Sequence, residues 1–214
     1  IGLDMNRRAA RVRHRQSGEA ETLNADLIVN AAGPWAAKVA ALAGVTVAME
    51  PSAGAMVTVG ARLCNRVINR LAPPGDGDII VPQRQSSILG TTSWTVTDPD
   101  DIPIPPDHVE KIFAMAEQLI PDARRAPVQS VMASTRSLLV VPGSSGRATT
   151  RGFACYDHAR DGADGLISIV GGKTITARLM AEKLSDMVCA KMGAQAECRT
   201  RAERLLSYRA GIGT

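Results

Sequence analysis

Two long apolar runs, each closed by small residues and followed by a helical pattern, constrain this chain most. Asp26-Leu27-Ile28-Val29-Asn30-Ala31-Ala32-Gly33 and Gly165-Leu166-Ile167-Ser168-Ile169-Val170 show no regular polar alternation. Strands apolar on both faces suit a sheet covered on both sides, as parallel sheets are. After the first run, Trp35, Val39 and Leu42 recur at helical spacing until Gly44. After the second, a helix is expected from about Ile175 to Met192, with Leu179, Lys183, Leu184, Met187 and Val188 on its packed side and Gly193 as its stop. Strand, small-residue turn and helix, twice over, predict an α/β layer.

Between the two runs the pattern changes. Ala55–Val59, Asp78–Pro82 and Ser87–Thr92 read as short strands, separated by turns at Pro73–Gly77 and Gln83-Arg84-Gln85. Asp107 is the expected N-cap of a helix from His108 to Ile120, whose apolar stripe is Ile112, Met115, Ala116 and Leu119 and which Pro121 ends. A strand from Val128 to Val141, interrupted near Arg136, leads to a turn at Gly143–Gly146. An antiparallel sheet with a covering helix is expected here. Ahead of the first run, Ala9–Arg15, a Gln16–Glu19 turn and a second strand reaching Asn24 form a hairpin with a basic face.

Hydrophobic residues at 45% and charged residues at 21% exclude a disordered chain. No stretch nears the roughly 18 continuous apolar residues of a membrane span, and no signal sequence opens the chain. It begins at Ile1, so it is read as a piece of a longer protein. The formal charge is +4. Its densest basic cluster, Arg7, Arg8, Arg11, Arg13 and Arg15, lacks aromatic interleaving and is read as a solvated strand face, with no nucleic-acid partner expected. Cys64, Cys155, Cys189 and Cys198 fit neither a zinc site nor a disulfide framework and are read as reduced thiols of an intracellular protein; no metal site is expected.

The chemistry-bearing motif is Gly171-Gly172-Lys173-Thr174 between a strand and a helix. Paired glycines let the backbone approach a ligand, and a helix start offers free amides and partial positive charge. A phosphate or the edge of a reduced flavin suits such a place, and a tight turn without a ligand has equal standing on this motif alone. A P-loop does not fit, because its first glycine would fall at Ile167. Ala31-Ala32-Gly33 is a second candidate, since α/β sheets bind ligands at the carboxyl ends of their strands. No Gly-x-Gly-x-x-Gly occurs in the chain.

In order, Val29-Asn30-Ala31-Ala32-Gly33-Pro34-Trp35, Arg66-Val67-Ile68-Asn69-Arg70, Asp78-Ile79-Ile80-Val81-Pro82 and Leu89-Gly90-Thr91-Thr92-Ser93 are followed by Arg151-Gly152, Asp157-His158-Ala159, Gly171-Gly172-Lys173 and Arg178-Leu179-Met180-Ala181-Glu182. This series resembles the FAD-dependent glycerol-3-phosphate dehydrogenases, above all the large subunit of the anaerobic type, within the glycine/D-amino-acid oxidase-like flavoproteins. The resemblance implies a mixed α/β fold: a partial Rossmann-like FAD-binding domain, without its N-terminal pyrophosphate motif, split by an antiparallel substrate domain. The implied boundaries are 1–49 and 143–193 for the FAD-binding part, 50–142 for the substrate domain and 194–214 for a linker.

By the same resemblance, Ala32 and Gly33 would border FAD, and Gly171, Gly172, Lys173 and Thr174 would lie against its isoalloxazine and ribityl parts. Arg136 stands where the family has a substrate-binding arginine, and Lys173 where it has a lysine near the same site; both are the expected catalytic residues. Taken alone, Arg136 reads as a surface salt bridge and Lys173 as a solvated helix-start lysine. His158 reads as a structural hydrogen-bonding residue, and no base is assigned. The family usually follows the arginine with Pro, where this chain has Ser137, and many relatives have Tyr where it has Ala177. The implied reaction is hydride transfer from sn-glycerol 3-phosphate to flavin, giving dihydroxyacetone phosphate. Electrons would pass to partner subunits and a quinone, and the protein would be cytoplasmic or peripheral at the inner membrane through those subunits. The chain alone is expected to bind FAD weakly. The alternatives are a flavin oxidoreductase for another amine or hydroxy acid, and a non-catalytic binding or assembly fragment.

Overall fold

The computed structural model describes residues 2–70, 79–140 and 152–204. In chain order they form β1 (Gly2–Asp4), β2 (Ala9–Arg13), β3 (Ala20–Asn24), β4 (Ile28–Asn30) and α1 (Ala36–Ala41). There follow β5 (Met49–Val59), β6 (Ile68–Asn69), β7 (Ile79–Gln83), β8 (Ser86–Gly90), β9 (Trp94–Thr95), α2 (Pro106–Leu119) and β10 (Val128–Leu139). Last come β11 (Phe153–Asp157), β12 (Leu166–Gly171) and α3 (Ala177–Met192). The chain divides into two units, one made of Ile1–Val47 with Arg151–Thr214, the other of Ala48–Thr150. The expected turns at Pro73–Gly77 and Gly143–Gly146, with Asp78, Val141, Arg151 and residues 205–214, lie outside the described residues.

In the unit of Ala48–Thr150 the sheet order is β10-β5-β8-β7-β6, antiparallel throughout, with β9 also on β5. Ala55, Val57 and Val59 alternate onto one face of β5, fully buried, and meet Ile80, Leu89 and the Ile112, Phe113 and Ala116 face of α2. Three expectations change here. First, α2 starts at Pro106, with Pro105 at the N-cap; Asp107 lies in the first turn and pairs with Lys111 at 2.6 Å instead of capping. Proline suits a first helical position, where its missing N–H leaves nothing unpaired. Second, His108 is buried rather than merely at a helix start: its Nδ1 lies 2.9 Å from Thr92 Oγ1, and its ring meets Trp94 edge-on at 4.9 Å. Third, β10 runs unbroken through Arg136 in register with β5 (Ser134↔Gly54, Arg136↔Ser52, Leu139↔Met49), and its one irregularity lies between Val128 and Ser130.

The other unit holds two three-stranded sheets, β1-β2-β3 and β11-β12-β4. The first includes the expected hairpin, with Ala9↔Asn24 and Arg13↔Ala20 in register and Arg11 and Arg13 exposed on its basic face. In the second, β12 is central and Leu166 to Val170 are all buried, which accounts for its unbroken apolar run. β4 pairs parallel with β12, yet Val29 is 42% exposed. Among the described residues β4 has a partner on one edge only, so its apolar run is less covered than expected. In α1 it is Ala36 and Ala40, one turn apart, that are buried, while Trp35 and Leu42 face outward. In α3 no residue is fully buried; Leu184, Met187 and Val188 are half-buried as expected, whereas Leu179 and Lys183 are exposed. Gly193, at φ 67°, ends α3 in the left-handed conformation that favours glycine.

Charge ties the end of α3 down. Lys191 Nζ lies 2.7 and 2.9 Å from the two oxygens of Asp157 and 2.8 Å from Asp164 Oδ1. Arg8 donates to Asp164 Oδ2 at 3.0 Å and to the Asp26 carbonyl at 3.1 Å. The hydrogen bonds from Lys191 hold both carboxyls below their ordinary range, and the carboxylates raise the ammonium above its own. Carboxylates with lowered folded pKa values stabilise above their unfolded pKa, about 4, and lose that contribution as pH falls through the folded value. Lys191→Met is therefore expected to melt at a lower temperature than wild type at pH 7, with the difference closing near pH 2. Melting curves at both pH values check this, and equal midpoints at pH 7 refute the clasp.

Candidate functional site

Parallel pairing sets Ile28, Val29 and Asn30 of β4 opposite Leu166, Ile167 and Ser168 of β12. The turn at 31–33 and the turn at 171–174 therefore leave the same end of neighbouring strands, and each leads into a helix. Ala32, Gly33, Gly171, Gly172, Lys173 and Thr174 all lie on these two turns. Gly33, Gly171 and Gly172 have φ of 57°, 84° and 84°, a conformation side chains rarely tolerate. A Cβ at Gly33 would meet no atom within 4 Å, so the backbone there is open to approach; one at Gly172 would run into the Met180 side chain.

Asn30, which the resemblance places only within the Asn-Ala-Ala-Gly segment expected to border FAD, shapes the first turn. It is buried, its Oδ1 accepts from the Ala32 N–H at 3.3 Å, and its Nδ2 donates to the Ala36 carbonyl at 2.8 Å and to Ser168 Oγ at 3.1 Å. The second turn is closed by Thr176, whose hydroxyl accepts from the Lys173 N–H at 3.0 Å and donates to the Lys173 carbonyl at 2.8 Å. Lys173, Thr174 and Ile175 are exposed, and among the described residues no ion pair engages the Lys173 ammonium. It stands just ahead of a 16-residue helix whose N-terminus is partly positive. His158 is buried, with Nδ1 2.9 Å from Asp161 Oδ2 and Nε2 2.9 Å from Ser168 Oγ, in keeping with a structural role.

Arg136 belongs to the other unit. It lies mid-strand on the face of the β5–β10 pair opposite α2, and its guanidinium folds across Gly54, occupying the space a Cβ there would need. Nη1 donates to the Ala53 carbonyl at 3.3 Å and Nη2 to Thr91 Oγ1 at 3.2 Å; the Thr91 hydroxyl in turn donates to the Ala55 carbonyl at 2.9 Å. Neighbouring Thr92 is buried between His108 and the Ala55 N–H. Gly54 and Thr91 are therefore the seat of Arg136, a role sequence reasoning missed. The only available signal was an arginine inside an apolar strand pattern, which must fold back over something small or polar. All four cysteines are free, none fully buried, and burial raises the pKa of Cys155.

The family model described as FAD dependent oxidoreductase matches residues 2–178. The chain is 42% identical over 196 residues to an anaerobic glycerol-3-phosphate dehydrogenase subunit of Haloferax volcanii, a match covering 90% of this chain and 33% of that protein. It is 38% identical over 194 residues to the corresponding anaerobic glycerol-3-phosphate dehydrogenase subunit of Escherichia coli K12, covering 89% and 36%. It thus spans about a third of the length of these relatives. Among solved structures, the glycerol-3-phosphate dehydrogenase from Bacillus halodurans complexed with FAD superposes with a TM-score of 0.71 at 23% identity, over 90% of this chain and 38% of that one. That likeness establishes the mixed α/β fold expected from the sequence. On the family match across residues 2–178, this chain belongs to the FAD dependent oxidoreductase family.

Proposed function

We propose that this chain is part of an FAD-dependent dehydrogenase that oxidises sn-glycerol 3-phosphate to dihydroxyacetone phosphate and passes the electrons through partner subunits to a quinone. The observation that carries this reading is the 42% and 38% identity, over nine-tenths of the chain, to two anaerobic glycerol-3-phosphate dehydrogenase subunits. The residues fit FAD on a feature of the fold itself. Two neighbouring parallel strands end in glycine turns, and the backbone at Gly33 is open. Ala32, Gly33, Gly171, Gly172, Lys173 and Thr174 would hold the cofactor, which when bound supplies the acceptor for the hydride leaving C2 of the substrate.

The chain's own residues do the rest. Arg136 presents a planar guanidinium whose fork matches phosphate oxygens, and the Ala53 carbonyl and Thr91 hydroxyl fix its direction. Lys173 adds a point charge beside a helix N-terminus, where negative charge developing during the reaction is stabilised. Among the described residues no helix is long and apolar enough to cross a membrane. Attachment at the inner membrane through partner subunits, where the electrons would reach a quinone, is part of the same proposal.

The first test uses the complete gene product with its flavin, kept free of oxygen. Adding sn-glycerol 3-phosphate is expected to bleach the oxidised flavin absorbance; a flavin that stays yellow refutes this substrate and points to another amine or hydroxy acid. Arg136→Leu removes charged hydrogen bonds worth about 3 kcal/mol, so kcat/KM is expected to fall on the order of a hundredfold. Thr91→Val keeps the shape of the seat and removes its acceptor, with an expected loss of about tenfold, mainly in KM. Unchanged kinetics in both variants would take phosphate binding away from Arg136.

A further inference from the structure

His158, Ser168 and Asn30 form one buried chain of hydrogen bonds whose directions can be assigned. Asn30 has a donor to accept from, the Ala32 N–H, and an acceptor to donate to, the Ala36 carbonyl, so its amide orientation is settled and its second amide proton goes to Ser168 Oγ. Ser168 then gives its own hydroxyl proton to the remaining neighbour, His158 Nε2, which must be the unprotonated nitrogen. The His158 proton therefore sits on Nδ1 and points at Asp161 Oδ2, 2.9 Å away. His158 and Ser168 are almost wholly buried, whereas the Asp161 side chain is 56% exposed. Tyr156 stacks against the imidazole with ring centres 6.3 Å apart. Every donor in the chain faces an acceptor, and its inner end grips both sides of the 31–33 turn.

We propose that His158 is a positioning residue for the cofactor pocket: through Ser168 and Asn30 it holds the 31–33 turn in the shape that receives FAD. This rests on the flavin reading above. A side chain that lost the Nε2 acceptor would free the Ser168 proton, and the hydroxyl would turn to compete for other acceptors. Asn30 would then lose the fixed partner that leaves its other two hydrogen bonds for Ala32 and Ala36. The turn could still form, but its geometry would no longer be set before FAD arrives, and affinity would fall through lost preorganisation.

The test measures the FAD dissociation constant of the complete gene product by flavin fluorescence, together with the melting temperature of the apoprotein. His158→Leu is expected to weaken FAD about five- to tenfold. His158→Gln, whose carboxamide oxygen can accept from Ser168, is expected to recover most of that loss. Should the Leu variant not fold, Ser168→Ala, which removes a single hydroxyl, decides in its place with the same expected weakening. A lowered melting temperature with unchanged FAD affinity means a structural role only and overturns the proposal, as does a Gln variant as weak as Leu. A wild-type protein that binds no FAD overturns the flavin reading itself, whereas wild-type binding with unaffected variants overturns the relay alone.

Discussion

The unit that carries the glycine turns depends on one pairing, the parallel alignment of Ile28–Asn30 with Leu166–Ser168. Asn30 and Ser168 are 138 residues apart in sequence. A parallel pair always needs a crossover, commonly a single helix. Here the crossover contains α1 and all of β5 to β10. Loop closure grows only logarithmically with length, each doubling costing about 0.6 kcal/mol, so a long insertion is tolerable provided it orders itself. The inserted unit does so, because Ala55, Val57, Val59, Ile80 and Leu89 form a core of their own with α2.

What selects the register of that pairing is polar. Leu166, Ile167, Ile169 and Val170 are nearly interchangeable in shape, so apolar packing alone would tolerate β4 sliding along β12. Ser168 and Asn30 do not allow it. A slip of one residue turns every side chain to the other face and parts the Asn30 amide from the Ser168 hydroxyl. Each buried group left unpaired costs about 1–3 kcal/mol. The only buried polar residue of β12 and the only buried residue of β4 thus specify together where both strands end, and with that where the two glycine turns emerge.

The elements legible in the sequence were those whose burial follows from local pattern. The continuous apolar run of β12 reports a strand with a partner on each edge, the stripe of α2 reports a helix on a sheet, and Gly44 and Gly193 stop helices at left-handed positions. The elements misread depend on what lies across from them. The apolar run at β4 looks like that of β12, yet Val29 is exposed. Leu179 sits one turn from Lys183 on the outer side of α3, although both fall within a helical stripe on paper. Asp107 is a good capping residue displaced by two prolines. Neither the seat of Arg136 nor the chain from Asp161 to Asn30 could be found by spacing. Thr91 is 45 residues from Arg136, and Ser168 reaches back past the whole insertion to Asn30.

An arginine inside a β-strand shows why the seat matters. On an isolated strand its long side chain would sample many rotamers, and ordering it costs up to about 2 kcal/mol. β10 meets part of that cost structurally: its register with β5 is unbroken from Ser130 to Leu139, so the Cα of Arg136 has little freedom. Gly54 then leaves a shallow gap one step along the sheet, and Thr91 and the Ala53 carbonyl supply acceptors at its rim. The guanidinium lies against the sheet, with directional hydrogen bonds to the Ala53 carbonyl and the Thr91 hydroxyl among its contacts. A point charge on a flexible stem could use neither the gap nor the fork. For that reason Arg136→Lys, though it keeps the charge, would not keep the geometry.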